Sequence, residues 1–294
     1  MAKNYLSESY SSVPSSLKTA LVTGASSGIG KALARELFVK GYAVFAGARR
    51  VEEMSDLSNL GITTVSLDVT NKESIENVIN LIKEQTGRLD ILFNNAGTSC
   101  TFPVTDLKLE DAKSCFDVNF FGVIQVTQAA IPLLKETKGT IVQTGSVAAI
   151  LPFPFGSIYA SSKAALQQFS NVLRIELKPF DIKVVVLTVA AVNTNIADTR
   201  PLPQNSWYYE IEEGIQSRRS MAKDNAPMEP DVFARKVVPQ IICSNPKRTI
   251  WSGRHAWLLW LLSLFPRFFV ELIFYYKFQL AKLHSYKNKK NLSL

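Results

Sequence analysis

The segment that most restricts this chain is Thr23-Gly-Ala-Ser-Ser-Gly-Ile-Gly30, set between an apolar run, Thr19-Ala-Leu-Val-Thr23, and a helix-like stretch from Gly28 to Lys40. Glycines at 24, 28 and 30 let a backbone leave a strand, turn sharply and enter a helix with almost no side-chain bulk at the bend. In that setting the turn can approach a pyrophosphate, whose charge is favoured at the first turn of the helix. Gly24, Ser26, Ser27, Gly28, Ile29 and Gly30 are therefore read as a dinucleotide cradle. A plain tight turn needs the same glycines; the position at the head of a βαβ unit is what gives the reading weight.

The rest of the chain keeps that rhythm. Strand-like runs at Ala43 to Gly47, Thr63 to Leu67, Asp90 to Phe93, Thr140 to Thr144 and Lys183 to Val189 alternate with helix-like stretches at Lys72 to Glu84, roughly Glu110 to Leu134, and Ile158 to Leu177. Strand and helix in alternation predict the α/β class, a Rossmann-type doubly wound parallel sheet. A chain of 294 residues accommodates one such domain plus an appendage. We divide it into a polar tail expected to be disordered over 1–16, an α/β domain over 17–250, and an appendage over 251–294. The first residues lack an apolar core of signal-peptide length. The polar, aromatic run from Thr194 to Asn225 is expected to be a mobile substrate loop.

Residues that are scarce narrow the chemistry. Three cysteines, Cys100, Cys115 and Cys243, are too scattered for a disulfide framework and read as reduced thiols. The two histidines, His255 and His284, both fall near the C-terminus, which argues against a zinc site or a histidine relay in the main body, and no metal is expected. Tyr159 and Lys163 are four apart and share one face of their helix. A phenol, with an ordinary pKa near ~10, becomes useful near neutrality when an adjacent ammonium stabilises its phenolate. Ser146, at the end of a strand, can hydrogen-bond a substrate carbonyl and bring it to the Tyr159 hydroxyl. An exposed helix-face Tyr–Lys pair is the bland alternative; the glycine turn and Ser146 weigh against it.

The end of the second strand reads Ala48-Arg49-Arg50, with no acid before Glu52. An acid there would bind a ribose 2′-hydroxyl, whereas Arg49 and Arg50 suit a 2′-phosphate, so the expected cofactor is NADPH.

In order along the chain, the glycine turn, Asp68, Asn94-Asn95-Ala96-Gly97, Asn119, Ser146 and Tyr159-Ala-Ser-Ser-Lys163 resemble the short-chain dehydrogenase/reductase family over most of residues 18–250. The resemblance implies a catalytic tetrad of Asn119, Ser146, Tyr159 and Lys163. Lys163 would also hold the nicotinamide ribose, and Asn119 would position a proton-relaying water. It further implies that Asp68 contacts adenine, that Asn95 stabilises the sheet beside the cofactor, and that Val192 and Thr194 touch carboxamide and phosphate. One departure is visible: Val189-Ala190 stands where the family usually has Pro-Gly. Within the family, the blocks Cys100–Pro103, Phe153–Tyr159, Ala197–Pro203 and Ser220–Asn225 resemble a fungal branch that reduces the ketone of 1-acylglycerone 3-phosphate to 1-acylglycerol 3-phosphate, a phosphatidate precursor. Phe153, Phe155 and Trp207 would line its acyl chain, and Arg200, Arg218, Arg219 and Lys223 are candidate phosphate ligands.

Other readings stay open. A sterol or retinoid dehydrogenase would share all but the loop cations. Gly24-Ala-Ser-Ser-Gly28 also fits the Gly-x-Ser-x-Gly turn of hydrolases, so a lipid esterase would use Ser26, although it would then need a distant histidine. Ala256 to Pro266 is eleven residues without a charge, followed by Arg267, Glu271, more aromatics and the lysines 277, 282, 287, 289 and 290. A simple transmembrane helix would need about twenty unbroken apolar residues. Aromatics beside lysines suit a bilayer interface, so a C-terminal membrane-associating segment is expected, in preference to nucleic-acid binding. The alternatives are that it packs on the domain, covers the cleft or forms a homo-oligomer seam. The branch resemblance implies the endoplasmic reticulum membrane and lipid droplets, with the catalytic domain facing the cytosol.

Overall fold

A computed structural model describes residues 17–283. The tail expected over 1–16, together with His284, Lys287, Lys289 and Lys290, lies outside the described residues. The elements in chain order are β1 (Thr19–Thr23), α1 (Gly28–Val39), β2 (Ala43–Ala48), α2 (Ser55–Ser58), β3 (Thr63–Ser66), α3 (Lys72–Thr86), β4 (Ile91–Asn94), α4 (Leu109–Phe116), α5 (Gly122–Thr137), β5 (Thr140–Ser146), α6 (Ser157–Glu176), β6 (Lys183–Val189), α7 (Glu212–Asp224), α8 (Pro230–Ile242), β7 (Thr249–Ser252), α9 (Ala256–Leu262) and α10 (Arg267–Lys277). All seven strands form one sheet, in the order β3-β2-β1-β4-β5-β6-β7, and every pairing is parallel.

The central strands are buried along most of their length because both faces of the sheet are covered, as parallel sheets require. Alternate residues face opposite layers. Ala20, Val22, Val44, Phe93 and Val185 pack with Leu33 and Leu37 of α1 and Val237 of α8. Leu21, Phe45, Leu92, Ile141 and Val184 meet Val78 of α3, Val126 of α5 and Leu173 of α6. The order reverses between β1 and β4, which opens the crevice where such sheets bind ligands at their C-terminal edge.

Helices α4 and α5 are one rod with a π-helical turn at Asp117–Phe121 between them. Together they form the single stretch among the described residues long and apolar enough to cross a membrane, Leu109–Thr137, yet it packs within the fold beside the sheet.

Three expectations change. The run from 194 to 225 is not a loop throughout, since its second half forms α7. The boundary at 250 cuts β7, whose register with β6 runs to Ser252. The appendage divides at Pro266 into α9 and α10, and one side of α10 joins the core through Val270 and Phe274, followed by Phe278.

Candidate active site

At the head of β1, Thr23 ties the glycine turn to the neighbouring strand. Its Oγ1 accepts the Asn95 and Ala96 amides at 3.0 and 2.9 Å, and Asn95 Nδ2 donates to the Thr23 carbonyl at 3.0 Å. Asn95 thus shapes the turn from the next strand. Gly24 and Gly28 have φ of 66° and 53°, in the left-handed region where a side chain is strained. A Cβ on Gly30 would collide with the Gly24 carbonyl and the Asn95 amide, so the helix can begin this close to the strand only as glycine. Thr194 closes over the turn from β6: its Cγ2 lies 3.1 Å from where Gly28 would carry a Cβ. Ser26 and Ile29 are half-buried and Ser27 exposed, and Ser27 starts α1 without capping it through its own side chain. This narrow, small-residue cradle at a helix N-terminus fits a dinucleotide pyrophosphate.

At the end of β2 the two arginines differ. Arg50 is held by Glu53 at 2.8 Å. Arg49 is exposed, makes no salt bridge among the described residues, and acts on Asp68 across the strand ends. Asp68 accepts from the amide and hydroxyl of Thr70 at 2.9 and 2.7 Å. Its burial opposes ionisation, but these bonds and Arg49 hold its carboxyl below the usual range.

Tyr159 and Lys163 leave the same face of α6 beside the end of β5. Burial pushes the Tyr159 phenol up from its ordinary value, while the neighbouring Ser146 hydroxyl and the Arg218 guanidinium pull it down. The Ser146 Oγ accepts the Ala148 amide at 3.1 Å, which leaves its own proton to donate. Lys163 is buried, and its Nζ donates to the Thr144 carbonyl at 2.8 Å. Desolvation lowers its pKa to about 8. Nζ is turned toward the strand and stands 6.0 Å over the Tyr159 ring centroid, so the ammonium is anchored to the sheet, and the Arg218 guanidinium is a second cation beside the phenol.

Asn119 sits in the π-helical turn, fully buried. Its Oδ1 accepts the Thr98 amide at 2.8 Å, and its Nδ2 donates to the Thr98 carbonyl at 2.9 Å and to Ser162 at 3.1 Å. The side chain is consumed in fastening the β4 loop to α6. Gly97 keeps the space beside it open, since a Cβ there would stand 3.2 Å from Asn119 Oδ1 and 3.6 Å from Lys163 Nζ.

Past β6, Val192 is buried and bridges to Met228. The missing Pro-Gly has a physical counterpart. β6 continues paired through Val189, the Ala190 amide donates to the Ser252 carbonyl at 2.8 Å, and a glycine is supplied from the end of the neighbouring strand β7, where Gly253, at φ 111°, lies against the Ala190 backbone.

The wall beyond Tyr159 is apolar. Phe153, stacked on Phe274 at 4.6 Å, packs with Leu151, Phe278 and Met221 around the tyrosine ring. Phe155 adopts φ 60°, a left-handed conformation uncommon for an aromatic, and turns the loop toward Tyr208. Trp207 does not join them; it is 72% exposed. Val270, Phe274 and Phe278 were not anticipated in this wall, although their four-residue spacing is the mark of one buried helical face.

The four candidate phosphate ligands also separate. Arg200 is paired with Asp198 and Asp111, both at 2.6 Å. Arg219 donates to the carbonyls of Thr101 and Arg200 at 3.2 and 2.6 Å, and Lys223 is exposed. Arg218 alone of the four points its charge at Tyr159. Its Cζ lies 4.9 Å over the Phe153 ring, and its Nε is sealed from solvent without a hydrogen-bond partner among the described residues.

Among the described residues Ser26 has no comparable machinery. His255 follows β7, four strand positions from β1 in the sheet, a separation of about 19 Å at the usual strand spacing.

This geometry accompanies sequence likeness. Residues 18–205 match the family described as short chain dehydrogenase. The chain is 40% identical over 277 residues to the NADPH-dependent 1-acyldihydroxyacetone phosphate reductase of Saccharomyces cerevisiae, covering 91% of this chain and 93% of that one. It is 40% identical over 235 residues to the protein of the same name from Schizosaccharomyces pombe, covering 76% and 78%. Among solved structures, a short-chain dehydrogenase from Streptomyces avermitilis superposes with a TM-score of 0.77 at 29% identity, covering 90% of this chain and 98% of that one. The chain belongs to the short-chain dehydrogenase family and is an oxidoreductase acting on CH–OH and C=O groups.

Proposed function

We propose that the protein reduces the ketone of 1-acylglycerone 3-phosphate to 1-acylglycerol 3-phosphate, using NADPH, at a lipid surface. The observation that carries this reading is the Ser146–Tyr159 pair opening onto an aromatic wall of Phe153, Phe155 and Phe274, which suits a carbonyl attached to an acyl chain. Two fungal relatives at 40% identity bear the matching activity in their names.

NADPH would lie along the Gly24–Gly30 cradle, with Arg49 at its 2′-phosphate and Val192, Thr194 and Lys163 toward the nicotinamide end; when bound it supplies a hydride. The remaining chemistry belongs to side chains of this chain. Ser146 donates a hydrogen bond to the carbonyl oxygen and fixes it beside the phenol. Tyr159, kept protonated near neutral pH by its burial, delivers the proton as that oxygen becomes an alkoxide. Asn119 acts by holding Thr98 and α6 in register, and Lys163 keeps a positive charge below the phenol.

The proposal includes residence on the endoplasmic reticulum membrane and lipid droplets, with the catalytic domain facing the cytosol. Supporting it is the outer side of α9 and α10, where Trp257, Trp260, Leu264, Phe265, Phe268 and Tyr276 are exposed near Lys277. An apolar groove of about 380 Å³ runs between the two helices. Contiguous apolar surface of this kind is rare on a freely soluble face.

The test is NADPH oxidation by the purified protein with 1-acylglycerone 3-phosphate, a 17-ketosteroid and retinal in parallel. Preference for the first supports the reading, and preference for either of the others overturns it in favour of a sterol or retinoid dehydrogenase. Flotation with anionic liposomes tests the surface.

A further inference from the structure

We propose that Arg218 is the seat for an anionic group on the substrate, a phosphate monoester placed directly beside the carbonyl to be reduced. A guanidinium enclosed by protein is strongly unfavourable unless something neutralises it or bonds its donors. Its neighbours have counter-charges: Arg200 has two carboxylates, and Arg219, although one terminal nitrogen is also left without a bond among the described residues, has two backbone carbonyls and the field of Asp198. Among the described residues no carboxylate pairs with Arg218. The group whose charge bears on it is the Tyr159 phenol, and burial lowers its own pKa to about 10, still cationic near neutrality. The packing holds the charge in place as a socket would. Phe153 lies beneath it at 4.9 Å, and Gly156 lies beside Nη2, where even a Cβ would come no nearer than ordinary contact, 3.4 Å.

Chemistry then limits the ligand. An anion seated at Arg218 must lie close to the oxygen that Tyr159 protonates. In an acylated glycerone phosphate one methylene and one ester oxygen separate the phosphorus from the ketone carbon, so both groups fit within that reach. The acyl chain extends from the other side of the ketone, toward Phe153, Phe274 and Met221. A planar guanidinium offers paired donors to phosphate oxygens, which an ammonium cannot match.

This assignment rests on the reduction proposed above, and its test is arranged to fail separately. Wild type, Arg218→Gln and Arg218→Lys are assayed on 1-hexadecanoylglycerone 3-phosphate and on its dephosphorylated counterpart, which differ only in the phosphate. For Arg218→Gln the ratio of the two kcat/KM values should fall on the order of 10- to 150-fold, the loss of one charge-assisted hydrogen-bonding partner. Arg218→Lys should recover part of it. Equal loss on both ketones, or loss on neither, overturns the proposal, because a structural arginine would not select between them. Should wild type reduce neither ketone, the functional reading fails, and the seat is judged by thermal unfolding with dodecyl phosphate and dodecanol. Stabilisation of wild type by dodecyl phosphate alone, abolished in Arg218→Gln, sustains the seat. Equal stabilisation of both proteins, or of neither, sinks it.

Discussion

Lys163 and Tyr159 occupy the same face of α6, yet the ammonium bonds the Thr144 carbonyl at 2.8 Å and stays 6.0 Å from the tyrosine ring centroid. The two residues share a site without sharing a proton. Lys163 is anchored to the sheet, and Tyr159 is left facing Ser146 and Arg218.

Tyr159→Phe should lower ketone reduction by roughly 10²- to 10⁴-fold, the usual worth of a general acid. NADPH affinity should change little, since the glycine cradle and Arg49 are built on other elements. Stopped-flow turnover together with cofactor fluorescence titration reads both quantities. Near-normal turnover would remove Tyr159 from its role.

The buried ammonium makes folding depend on pH. With its pKa lowered to about 8, Lys163 binds fewer protons in the folded chain than in the unfolded one between about pH 8 and 10.5. Stability contributed through this group therefore rises with pH across that window, and below it the fold bears a cost of about 3 kcal/mol. Lys163→Met removes the cost at every pH, and it also removes the bond to the Thr144 carbonyl, a loss independent of pH. Urea unfolding should show wild type gaining on the variant from pH 8 to 10. A difference that stays flat would mean that the charge is not buried as described.

Arg49→Ala should raise KM for NADPH by roughly 10- to 150-fold, as expected for a lost charge-assisted bond, and leave KM for NADH nearly unchanged. Arg50→Ala should do much less, because Arg50 is already engaged by Glu53. Steady-state kinetics with both cofactors decides between the two arginines.

The two sides of α10 should separate under mutation. Phe274→Ala opens a cavity against Phe153 and should cost about 3–5 kcal/mol of stability. Phe268→Ser with Phe269→Ser alters only exposed rings. It should leave unfolding almost unchanged while weakening liposome flotation, each ring being worth up to about 1.5–3 kcal/mol if fully buried in lipid. Flotation that survives the double change would dismiss this face as the contact.

Much of this arrangement can be read from residue order. Strands with long unbroken apolar runs, such as Val184–Leu187, announce a sheet covered on both sides, and Tyr159 with Lys163 announces one helical face. What could not be read depends on distant pairing. Arg200 and Arg218 look alike in sequence, but Arg200 finds Asp111, 89 positions away, whereas Arg218 meets a tyrosine. The C-terminal segment was ambiguous for another reason. Aromatics suit a bilayer and a protein core equally, and only the spacing of Val270, Phe274 and Phe278 distinguishes the side that packs inward.

Gly214, on the first half of α7, lies so close to the Phe278 carbonyl that any side chain at 214 would strike backbone. The helix that carries Arg218 and the segment that follows α10 are thus locked as one piece, and both fall beyond the stretch matched to the family at large, residues 18–205. Recombination between relatives has to respect that lock. Exchanging α7 alone would clash wherever the donor lacks the glycine, whereas moving everything after residue 205 as a block would keep Gly214 and Phe278 together and leave the glycine cradle and Tyr159 in place.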